Sequence, residues 1–425
     1  MMEHIIASNL TKHLEKHNIL FPLQHGFRAN RSCESQLLMF TDELARSLQE
    51  NHQIDTILLD FSKAFDKVSH EKLILKLHSY GIHGSALSWI KSFLNNRTQK
   101  VILDGDESET ASVTSGVPQG SVLGPILFLA YINDLPEGVQ SKVRLFADDT
   151  VVYLAITEPS QSSTLQEDLG RLEEWEETWD MSFNPSKCVV LRITGPRTRV
   201  METSYTLHGT TLETASHAKY LGVTLHEHLS WNTHINNITN KASRTLGMLR
   251  RNLWGSPQQI NFVAYTSLVR PQLEYASAVW DPHTVGAAHR LEMVQRRAAR
   301  FVKNDYVRDS SVTTMLNELG WKTLAQRRAD GRLYIFYKIV HGLVAIPQED
   351  YLTPLTRPTR HHHTNSFRIP YASKNSYKFS FFPCTIRRWN ALPEHVAAAP
   401  SFETFKGAVC HIHLDVENPR CTIGE

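Results

Sequence analysis

The stretch that decides the fold is Arg144-Leu145-Phe146-Ala147-Asp148-Asp149-Thr150-Val151-Val152-Tyr153, in which two adjacent carboxylates separate two apolar runs. Short apolar runs on either side of turn residues predict strands, so Val143 to Ala147 and Thr150 to Leu154 are expected to form a hairpin. Asp148 and Asp149 would then lie at its tip. Aspartate is a favoured turn residue, and this pair alone predicts no more than a solvated turn.

A second acid at a strand end changes that interpretation. Asp60 closes the apolar run Thr56-Ile57-Leu58-Leu59 and is followed by Phe61-Ser62-Lys63-Ala64-Phe65-Asp66. If the two strand ends lie side by side, three carboxylates converge, and they repel one another unless cations neutralise them. Oxygen ligands suit Mg²⁺, and two such ions ~3.5–4 Å apart support in-line nucleotidyl transfer. The pattern therefore predicts a site for two Mg²⁺ ions, with Mn²⁺ as a substitute.

Outward from this centre, the first half of the chain alternates helical and strand patterns, whereas the second half is mainly helical. This alternation predicts an α+β fold with helices on a mostly antiparallel sheet. We place a first domain at 1–226, a helical domain at 227–345 and a loop-rich extension at 346–425 that includes an exposed His361-His362-His363. Three local expectations are a helix from Leu165 to Trp179 with a solvated acidic face, a hairpin that pairs Val101–Leu103 with Ala111–Val113, and one strand from Tyr220 to Leu225.

Composition excludes several classes of protein. The chain has 425 residues, 41% of them hydrophobic, which is enough for more than one folded core and too many for a disordered chain. The longest apolar run, Val122 to Ile132, is far shorter than the ~20 residues that span a bilayer, and the N-terminus lacks a signal-peptide pattern. The five cysteines form no CxxC pair, which argues against a zinc knuckle or a disulfide framework.

The net charge of +2 conceals an asymmetry. Residues 1–225 carry 20 basic and 28 acidic side chains, whereas residues 226–425 carry 25 basic and 15 acidic ones. An acidic half suits a cation site and a basic half suits a polyanion, although solvated surfaces of opposite sign explain the charges equally well.

Several motifs in order resemble those of reverse transcriptases, specifically those of jockey-like non-LTR (LINE-type) retrotransposons. In chain order they are His25-Gly26-Phe27-Arg28 with Arg31-Ser32 in the fingers, Leu59 to Asp66 as motif A, Ser115 to Pro125 as motif B, Phe146-Ala147-Asp148-Asp149 as motif C, Asn184-Pro185-Ser186-Lys187 as motif D and Tyr220-Leu221-Gly222 as motif E. A lone Asp-Asp pair would be a weak signal, but six motifs in order are a specific one. The resemblance implies a right-hand polymerase with partial fingers, a palm and a helical thumb.

The resemblance also implies roles for individual residues. Asp60 and Asp148 would be shared metal ligands, Asp149 the third carboxylate, and Phe61 the donor of a backbone carbonyl. Phe65 matches the steric gate that selects dNTPs, although its spacing alone indicates a core phenylalanine.

Residues outside motifs A and C receive roles in the same way. Gln119-Gly120 matches the turn against the incoming nucleotide and template, and Gly116 and Gly120 would allow close backbone approach. An ordinary loop at the start of a helix is the alternative for this segment. Lys187 matches a general acid that protonates pyrophosphate, although a plain surface lysine is an equal alternative. Arg28 and Arg31 are candidate phosphate contacts.

The implied activity is RNA-directed DNA synthesis, with an RNA template, a DNA primer or target and dNTPs as partners. A location in the nucleus or cytoplasm as a ribonucleoprotein is expected, with no membrane and no secretion. Two alternatives stay open: an inactive, nucleic-acid-binding fragment of an element, and an RNA-dependent RNA polymerase. The first is suggested because the chain begins inside the fingers pattern, and the second is disfavoured by Phe65 and by Phe-Ala-Asp-Asp in place of Gly-Asp-Asp.

Four groups of basic residues in the second half could follow a template–primer backbone: Arg250-Arg251, Arg296-Arg297, Arg300-Lys303 and Arg327-Arg328.

Overall fold

The computed structural model describes residues 2–355 and 363–412 and divides into two units. The first unit comprises the described residues up to Cys33 together with His52–Ala218. The second comprises Glu34–Asn51 together with the described residues from Lys219 onward.

The helices of the described residues, in chain order, are α1 (Met2–Lys16), α2 (Cys33–Gln49), α3 (Ala64–Lys67), α4 (His70–Ser79), α5 (Gly84–Leu94), α6 (Gly124–Ile132), α7 (Pro159–Trp179), α8 (Asn232–Asn252), α9 (Gln258–Ala264), α10 (Arg270–Glu274), α11 (Ser277–Trp280), α12 (Val285–Lys303), α13 (Val312–Glu318), α14 (Leu324–Val340), α15 (Gln348–Tyr351), α16 (Asn375–Lys378), α17 (Phe381–Asn390), α18 (Glu394–Ala397) and α19 (Phe402–Cys410). A π-helical segment, Tyr265–Val269, joins α9 to α10.

The strands of the same residues are β1 (Gln53–Leu59), β2 (Arg97–Gln99), β3 (Ile102–Leu103), β4 (Asp106–Glu107), β5 (Ala111–Val113), β6 (Lys142–Phe146), β7 (Asp149–Ile156), β8 (Val189–Ile193), β9 (Thr206–Leu207), β10 (Thr210–Thr211), β11 (Glu213–Ala215), β12 (His217–Tyr220) and β13 (Val223–His226).

A five-stranded sheet forms the centre of the first unit, in the order β11-β8-β1-β7-β6. β1 pairs antiparallel with β7 and β8, β6 pairs antiparallel with β7, and only the edge pair β8–β11 is parallel. β1 is buried along nearly its whole length, as expected for the continuous apolar run of a central strand. The predicted α+β class and the mostly antiparallel sheet are therefore confirmed.

Helices α4, α6 and α7 supply much of the core that covers this sheet. The predicted inner face of α7 is confirmed, because Leu165, Leu169 and Leu172 are fully buried. The expectation of a solvated acidic face is wrong for Asp168 and Glu176, which are buried on the same helix. Asp168 accepts hydrogen bonds from the N–H groups of Gln140 and Ser141, just before β6, which offset the cost of burying its charge.

The hairpin between residues 97 and 113 has the expected turn at Asp104-Gly105 but a different pairing. Its strands are nested, so that β3 pairs with β4 at the tip and β2 pairs with β5 at the base. The predicted pairing of Val101–Leu103 with Ala111–Val113 is therefore wrong. The tight turn at Asp104-Gly105 places Leu103 opposite Asp106, so Ala111–Val113 pairs further back, with β2.

The second unit contains α2 from Glu34 onward, although that helix lies in the first fifty residues. The α2 side chain of Gln36 donates to the Tyr220 hydroxyl at 3.2 Å, and the rings of Phe40 and Tyr220 meet edge to face at 5.6 Å. The predicted single strand from Tyr220 to Leu225 is two strands, β12 and β13. Leu221 and Gly222, both at positive φ, form the turn between them.

The long helices predicted after residue 231 are present as α8, α12 and α14. The loop-rich expectation for the end of the chain is wrong for residues 375–410, where α16 to α19 bury apolar faces that include Trp389 and Phe405. His363 is only 4% exposed and its Nε2 lies 2.8 Å from the Trp389 carbonyl, so it is not part of an exposed loop. His361 and His362 lie outside the described residues.

Over the described ranges, every helix is too short or too polar to cross a membrane.

Candidate active site

The three predicted acids lie side by side at one end of the central strands. Leu59 of β1 is opposite Thr150 of β7, and Phe146 of β6 is opposite Asp149. In an antiparallel pair the residue after Leu59 comes next to the residue before Thr150, so Asp60 lies beside Asp149. The structure therefore brings the end of β1 and the β6–β7 turn together as the sequence predicted.

The acids affect one another electrostatically. Burial, together with the negative charges of Asp148 and Asp60, raises the pKa of Asp149 to about 6. Burial and the charge of Asp60 also raise the pKa of Asp148. Burial is the larger cause of both shifts, and the repulsion between the neighbouring acids adds to it.

Lys187 is the cation nearest to these acids that the sequence had singled out. It follows a loop whose backbone is tied to motif A, since the Asn184 N–H donates to the Asp60 carbonyl at 2.8 Å. The Lys187 ammonium lies 3.2 Å from the Asp60 carboxylate, and the two side chains are 62% and 43% exposed. An exposed pair of this kind contributes little stability, so Lys187 can leave Asp60 at small cost.

The donor set fits a divalent cation by its chemistry. It consists of carboxylates, two of which have raised pKa values that a nearby cation would lower again. Within residues 2–355 and 363–412, however, no three His, Cys, Asp or Glu side chains are already grouped as a metal cage. The acids are thus neighbours at the strand ends rather than a closed set of ligands.

Phe61 has its ring in the core and its backbone in a bridge to Phe183. The two rings stack with centroids 4.2 Å apart. Hydrogen bonds on either side of the pair, from Ser62 N to Ser182 O and from Asn184 N to Asp60 O, show that Phe61 and Phe183 form a non-hydrogen-bonded pair. The Phe61 carbonyl therefore points away from the partner segment, as a carbonyl ligand would need to do.

Phe65 lies half-buried between two aromatic rings. Its ring stacks on Phe128 of α6 at 4.2 Å and meets the exposed ring of Phe27 edge to face at 6.3 Å. Packing on Phe128 holds Phe65 in one orientation, which suits both a core residue and a rigid gate.

The motif B loop is fastened to the segment after Asp60. The N–H groups of Gly116 and Val117 donate to the carbonyls of Val68 and Phe65 at 2.8 and 2.9 Å. The exposed Gln119 amide donates to the Asp66 carboxylate at 2.9 Å. This contact gives Asp66, to which the sequence assigned no role, a function in fixing Gln119.

Two of the three glycines of motif B, Gly116 and Gly120, differ in their surroundings. A Cβ on Gly116 would lie 2.9 Å from backbone atoms of Phe65 and Asp66, whereas one on Gly120 would meet nothing within 4 Å. Gly116 is therefore needed for packing inside the protein, and Gly120 is the one with free space beside it.

The structure gives the two fingers arginines partners inside the protein. Arg28 is nearly buried, binds both carboxylate oxygens of Glu15 at 2.8 and 2.6 Å, and donates to the Phe21 carbonyl. Arg31 donates to the Pro22 carbonyl, and burial lowers its pKa to about 10. The prediction that Arg28 contacts phosphates has no support in this geometry, because its donors are occupied.

The basic pairs of the second unit separate into two groups. Arg327 binds Glu274, and Arg328 is 2% exposed and binds Asp281 at 2.7 Å. Arg300 donates to three carbonyls of the loop after α12. These arginines stabilise the helical unit, which leaves Arg250-Arg251 and Arg296-Arg297 as the candidates for contact with a polyanion.

Sequence reasoning missed Gln24, which precedes the fingers motif. Its side chain is 2% exposed and hydrogen-bonds to Ala147, the residue before Asp148. The only sequence signal was its position beside His25-Gly26-Phe27-Arg28, because a glutamine by itself does not indicate a buried contact.

Comparison with known proteins identifies the family. Residues 1–225, more than half of the chain, match the family model described as reverse transcriptase (RNA-dependent DNA polymerase). The chain belongs to the reverse transcriptase family. The range of this match contains motifs A to E and the candidate metal, nucleotide and general-acid residues, but not the basic pairs after residue 226.

Relatives among curated proteins confirm the resemblance to jockey-like elements. The chain is 28% identical over 344 residues to a probable RNA-directed DNA polymerase from transposon BS of Drosophila melanogaster, a match covering 75% of this chain and 36% of the relative. It is 26% identical over 388 residues to the RNA-directed DNA polymerase from mobile element jockey of the same species, covering 85% and 42%. The chain thus spans between a third and a half of the length of these relatives.

Among solved structures, apo telomerase from Candida tropicalis is similar at 10% identity, with a TM-score of 0.43 over 81% of this chain and 54% of that chain.

Proposed function

We propose that this reverse transcriptase domain is an RNA-directed DNA polymerase that extends a primer 3′-hydroxyl with dNTPs, using two Mg²⁺ ions. The observation that carries the proposal is the register that sets Asp60 of motif A beside the Asp148-Asp149 turn of motif C. Family membership supports the polymerase class, and the carboxylate chemistry supports the metal.

Asp60, Asp148 and Asp149 would hold the ions, with the Phe61 carbonyl as an additional oxygen donor. Bound there, divalent ions would make the primer hydroxyl more acidic and offset charge on the triphosphate. The raised pKa values of Asp148 and Asp149 fit this role, because a bound cation would stabilise the charged carboxylates that burial and mutual repulsion disfavour.

Lys187 is proposed to protonate the departing pyrophosphate. In the free protein its ammonium is 3.2 Å from Asp60, so it lies at the edge of the proposed metal site. Because the Lys187 side chain is largely exposed and that of Asp60 is partly exposed, a triphosphate can draw the lysine away from Asp60 at little cost.

The nucleotide would lie between the motif B loop and Phe65. Gln119 is held by Asp66, and the open space beside Gly120 leaves room for a base or sugar. The Phe65 ring, fixed by its stacking on Phe128, would clash with a ribose 2′-hydroxyl.

The exposed basic residues of α8 and α12 are proposed to contact the template–primer duplex. Arg250 and Arg251 lie at the end of α8, and Arg250 stacks over the Tyr306 ring at 4.4 Å. The Arg297 guanidinium donates to Ser243 at 3.2 Å, a neutral partner that leaves its charge available for phosphate.

The test is incorporation of dTTP on poly(rA)/oligo(dT) with and without Mg²⁺. The double variant Asp148→Asn, Asp149→Asn should lose at least 100-fold in rate. A matched control, Asp104→Asn with Asp106→Asn, changes two acids of the exposed hairpin tip and should retain the parent rate.

Each contrary result identifies an alternative. Incorporation that survives the change at 148 and 149 would refute the metal assignment, and preference for UTP over dTTP would indicate an RNA polymerase. If the parent chain binds the template–primer without incorporating dTTP, it is a nucleic-acid-binding fragment of an element.

A further inference from the structure

A short segment before the fingers motif extends the central sheet beyond β6. The His25 N–H donates to the Leu145 carbonyl at 2.9 Å, and the Leu145 N–H donates to the Leu23 carbonyl at 3.1 Å. Gln24 thus pairs in parallel with Leu145 on β6. Through this pairing the segment runs directly beside the turn that carries Asp148 and Asp149.

The buried Gln24 amide binds the backbone of that turn. Its Oε1 accepts hydrogen bonds from the N–H groups of Ala147, at 2.9 Å, and Gly26, at 2.8 Å. Its Nε2 makes a longer contact of 3.4 Å with the Ala147 carbonyl. A single side chain therefore contacts both polar backbone groups of the residue before Asp148.

Ala147 needs such support because of its conformation. Its φ is +52°, in the left-handed region that an alanine adopts only at an energetic cost. The direction in which Asp148 and Asp149 leave the turn depends on this dihedral angle. Without a fixed partner, Ala147 would favour ordinary φ values and the two carboxylates would turn with it.

The close approach of the two segments requires Gly26 as well. A Cβ at position 26 would lie 2.3 Å from the Ala147 nitrogen and 3.1 Å from its Cβ. Any side chain at this position would push the turn away from Gln24. The glycine and the glutamine thus serve the same contact.

We propose that Gln24 is a positioning residue of the active site, which holds Ala147 in the left-handed conformation and thereby aims the Asp148 and Asp149 carboxylates at the metal ions. The proposal rests on the proposed function of these acids as metal ligands. Gln24 itself touches neither the metal nor the substrate in this scheme, and its effect passes through the backbone of the turn.

The chain offers a matched control in Gln53 at the opposite end of β1. Gln53 is also 2% exposed, and its amide likewise binds both polar backbone groups of one residue, the N–H and carbonyl of Met201 at 2.8 and 3.0 Å. It donates in addition to the Asp55 carboxylate at 2.8 Å. It pairs with Ile156, the far end of β7 from the acids. Gln53→Met therefore removes a similar amide from the same sheet without touching the turn.

The experiment measures Mn²⁺ binding by the loss of the free-ion signal in electron paramagnetic resonance, using the full chain. Loss of a group that orients metal ligands typically weakens metal affinity 10- to 100-fold. We expect Gln24→Met to weaken Mn²⁺ binding at least tenfold and Gln53→Met to change it less than twofold. In dTTP incorporation, Gln24→Met should lower kcat at least tenfold while the KM for template–primer stays within twofold.

A second variant covers the case in which Gln24→Met does not fold. Glycine adopts positive φ readily, so Ala147→Gly in the Gln24→Met background should restore folding without fixing the turn. We expect the double variant to melt near the parent temperature but to keep the weakened Mn²⁺ binding. Parent-like Mn²⁺ affinity in either variant that folds would overturn the proposal, as would an equal loss in Gln53→Met or a parent chain that binds no Mn²⁺.

The two readouts separate this proposal from the proposed function. If Mn²⁺ binding depends on Gln24 but the parent incorporates no dTTP, the polymerase activity is refuted and the positioning role stands. If incorporation requires Asp148 and Asp149 but Gln24→Met behaves like Gln53→Met, only the positioning role is refuted.

Discussion

Replacing Gly116 by alanine should destabilise the first unit far more than the same change at Gly120. Both glycines belong to the motif B loop and both have positive φ, +87° at Gly116 and +81° at Gly120. The pair therefore shares its conformational cost and differs only in what surrounds the added methyl group.

The magnitudes follow from the contacts. A left-handed conformation costs an alanine ~1–2 kcal/mol, and this applies at both positions. At Gly116 the new Cβ would also lie 2.9 Å from backbone atoms of Phe65 and Asp66, and forcing atoms into a packed site adds about 1–3 kcal/mol. We therefore expect a loss of about 2–5 kcal/mol in the free energy of unfolding for Gly116→Ala and about 1–2 kcal/mol for Gly120→Ala.

Urea denaturation followed by tryptophan fluorescence would compare the two variants with the parent. Hydrogen exchange over residues 113–121 would report the loop itself, where the N–H groups of Gly116 and Val117 are bound to the carbonyls of Val68 and Phe65. Exchange there should accelerate in Gly116→Ala because these bonds cannot form once the loop is displaced. Equal destabilisation of the two variants, to within about 0.5 kcal/mol, which is the size of ordinary surface effects, would refute the packing role of Gly116.

Two further predictions concern Arg28 and His234. Arg28→Met should lower the free energy of unfolding by about 1–3 kcal/mol, because the contacts with Glu15 and Phe21 are lost. The KM for template–primer should stay within twofold of the parent value. A large rise in that KM would show that Arg28 binds phosphate. Burial lowers the pKa of His234 to about 4. As the pH falls below 6.5, His234 is protonated in the unfolded chain but stays neutral in the folded protein, so the free energy of unfolding decreases. Between pH 7 and 5 the loss in the free energy of unfolding amounts to about 2 kcal/mol. His234→Asn can still accept a hydrogen bond from the Thr224 N–H and should remove that part of the pH dependence of the melting temperature. An unchanged pH dependence would contradict the buried neutral state.

Much of the first unit was predictable because its signals are local. The apolar run of β1 and the hairpin of β6 and β7 follow from strand periodicity, and the apolar face of α7 follows from helical spacing. The acids of the site were predictable for the same local reason. Adjacent carboxylates between two strands repel each other unless a solvated turn or a cation stabilises them, so their sequence pattern indicates one of the two. The order of the motifs along the chain is specific enough to indicate the family.

Other features depended on contacts between residues far apart in sequence. No local pattern shows that α2 packs with Tyr220 in the second unit, or that His363 lies against Trp389. The burial of Asp168 and Glu176 likewise depends on backbone N–H groups that other segments supply.

By itself, the sequence determined the central strands and the long helices, the acids at the strand ends and the reverse transcriptase family. Only the tertiary structure decided the register that sets Asp60 beside Asp149, the internal partners of Arg28 and the amide of Gln24 against Ala147. The physical reason is that periodicity reports which face of an element is buried, whereas the partner of a polar side chain depends on which distant backbone group the fold brings within hydrogen-bonding distance.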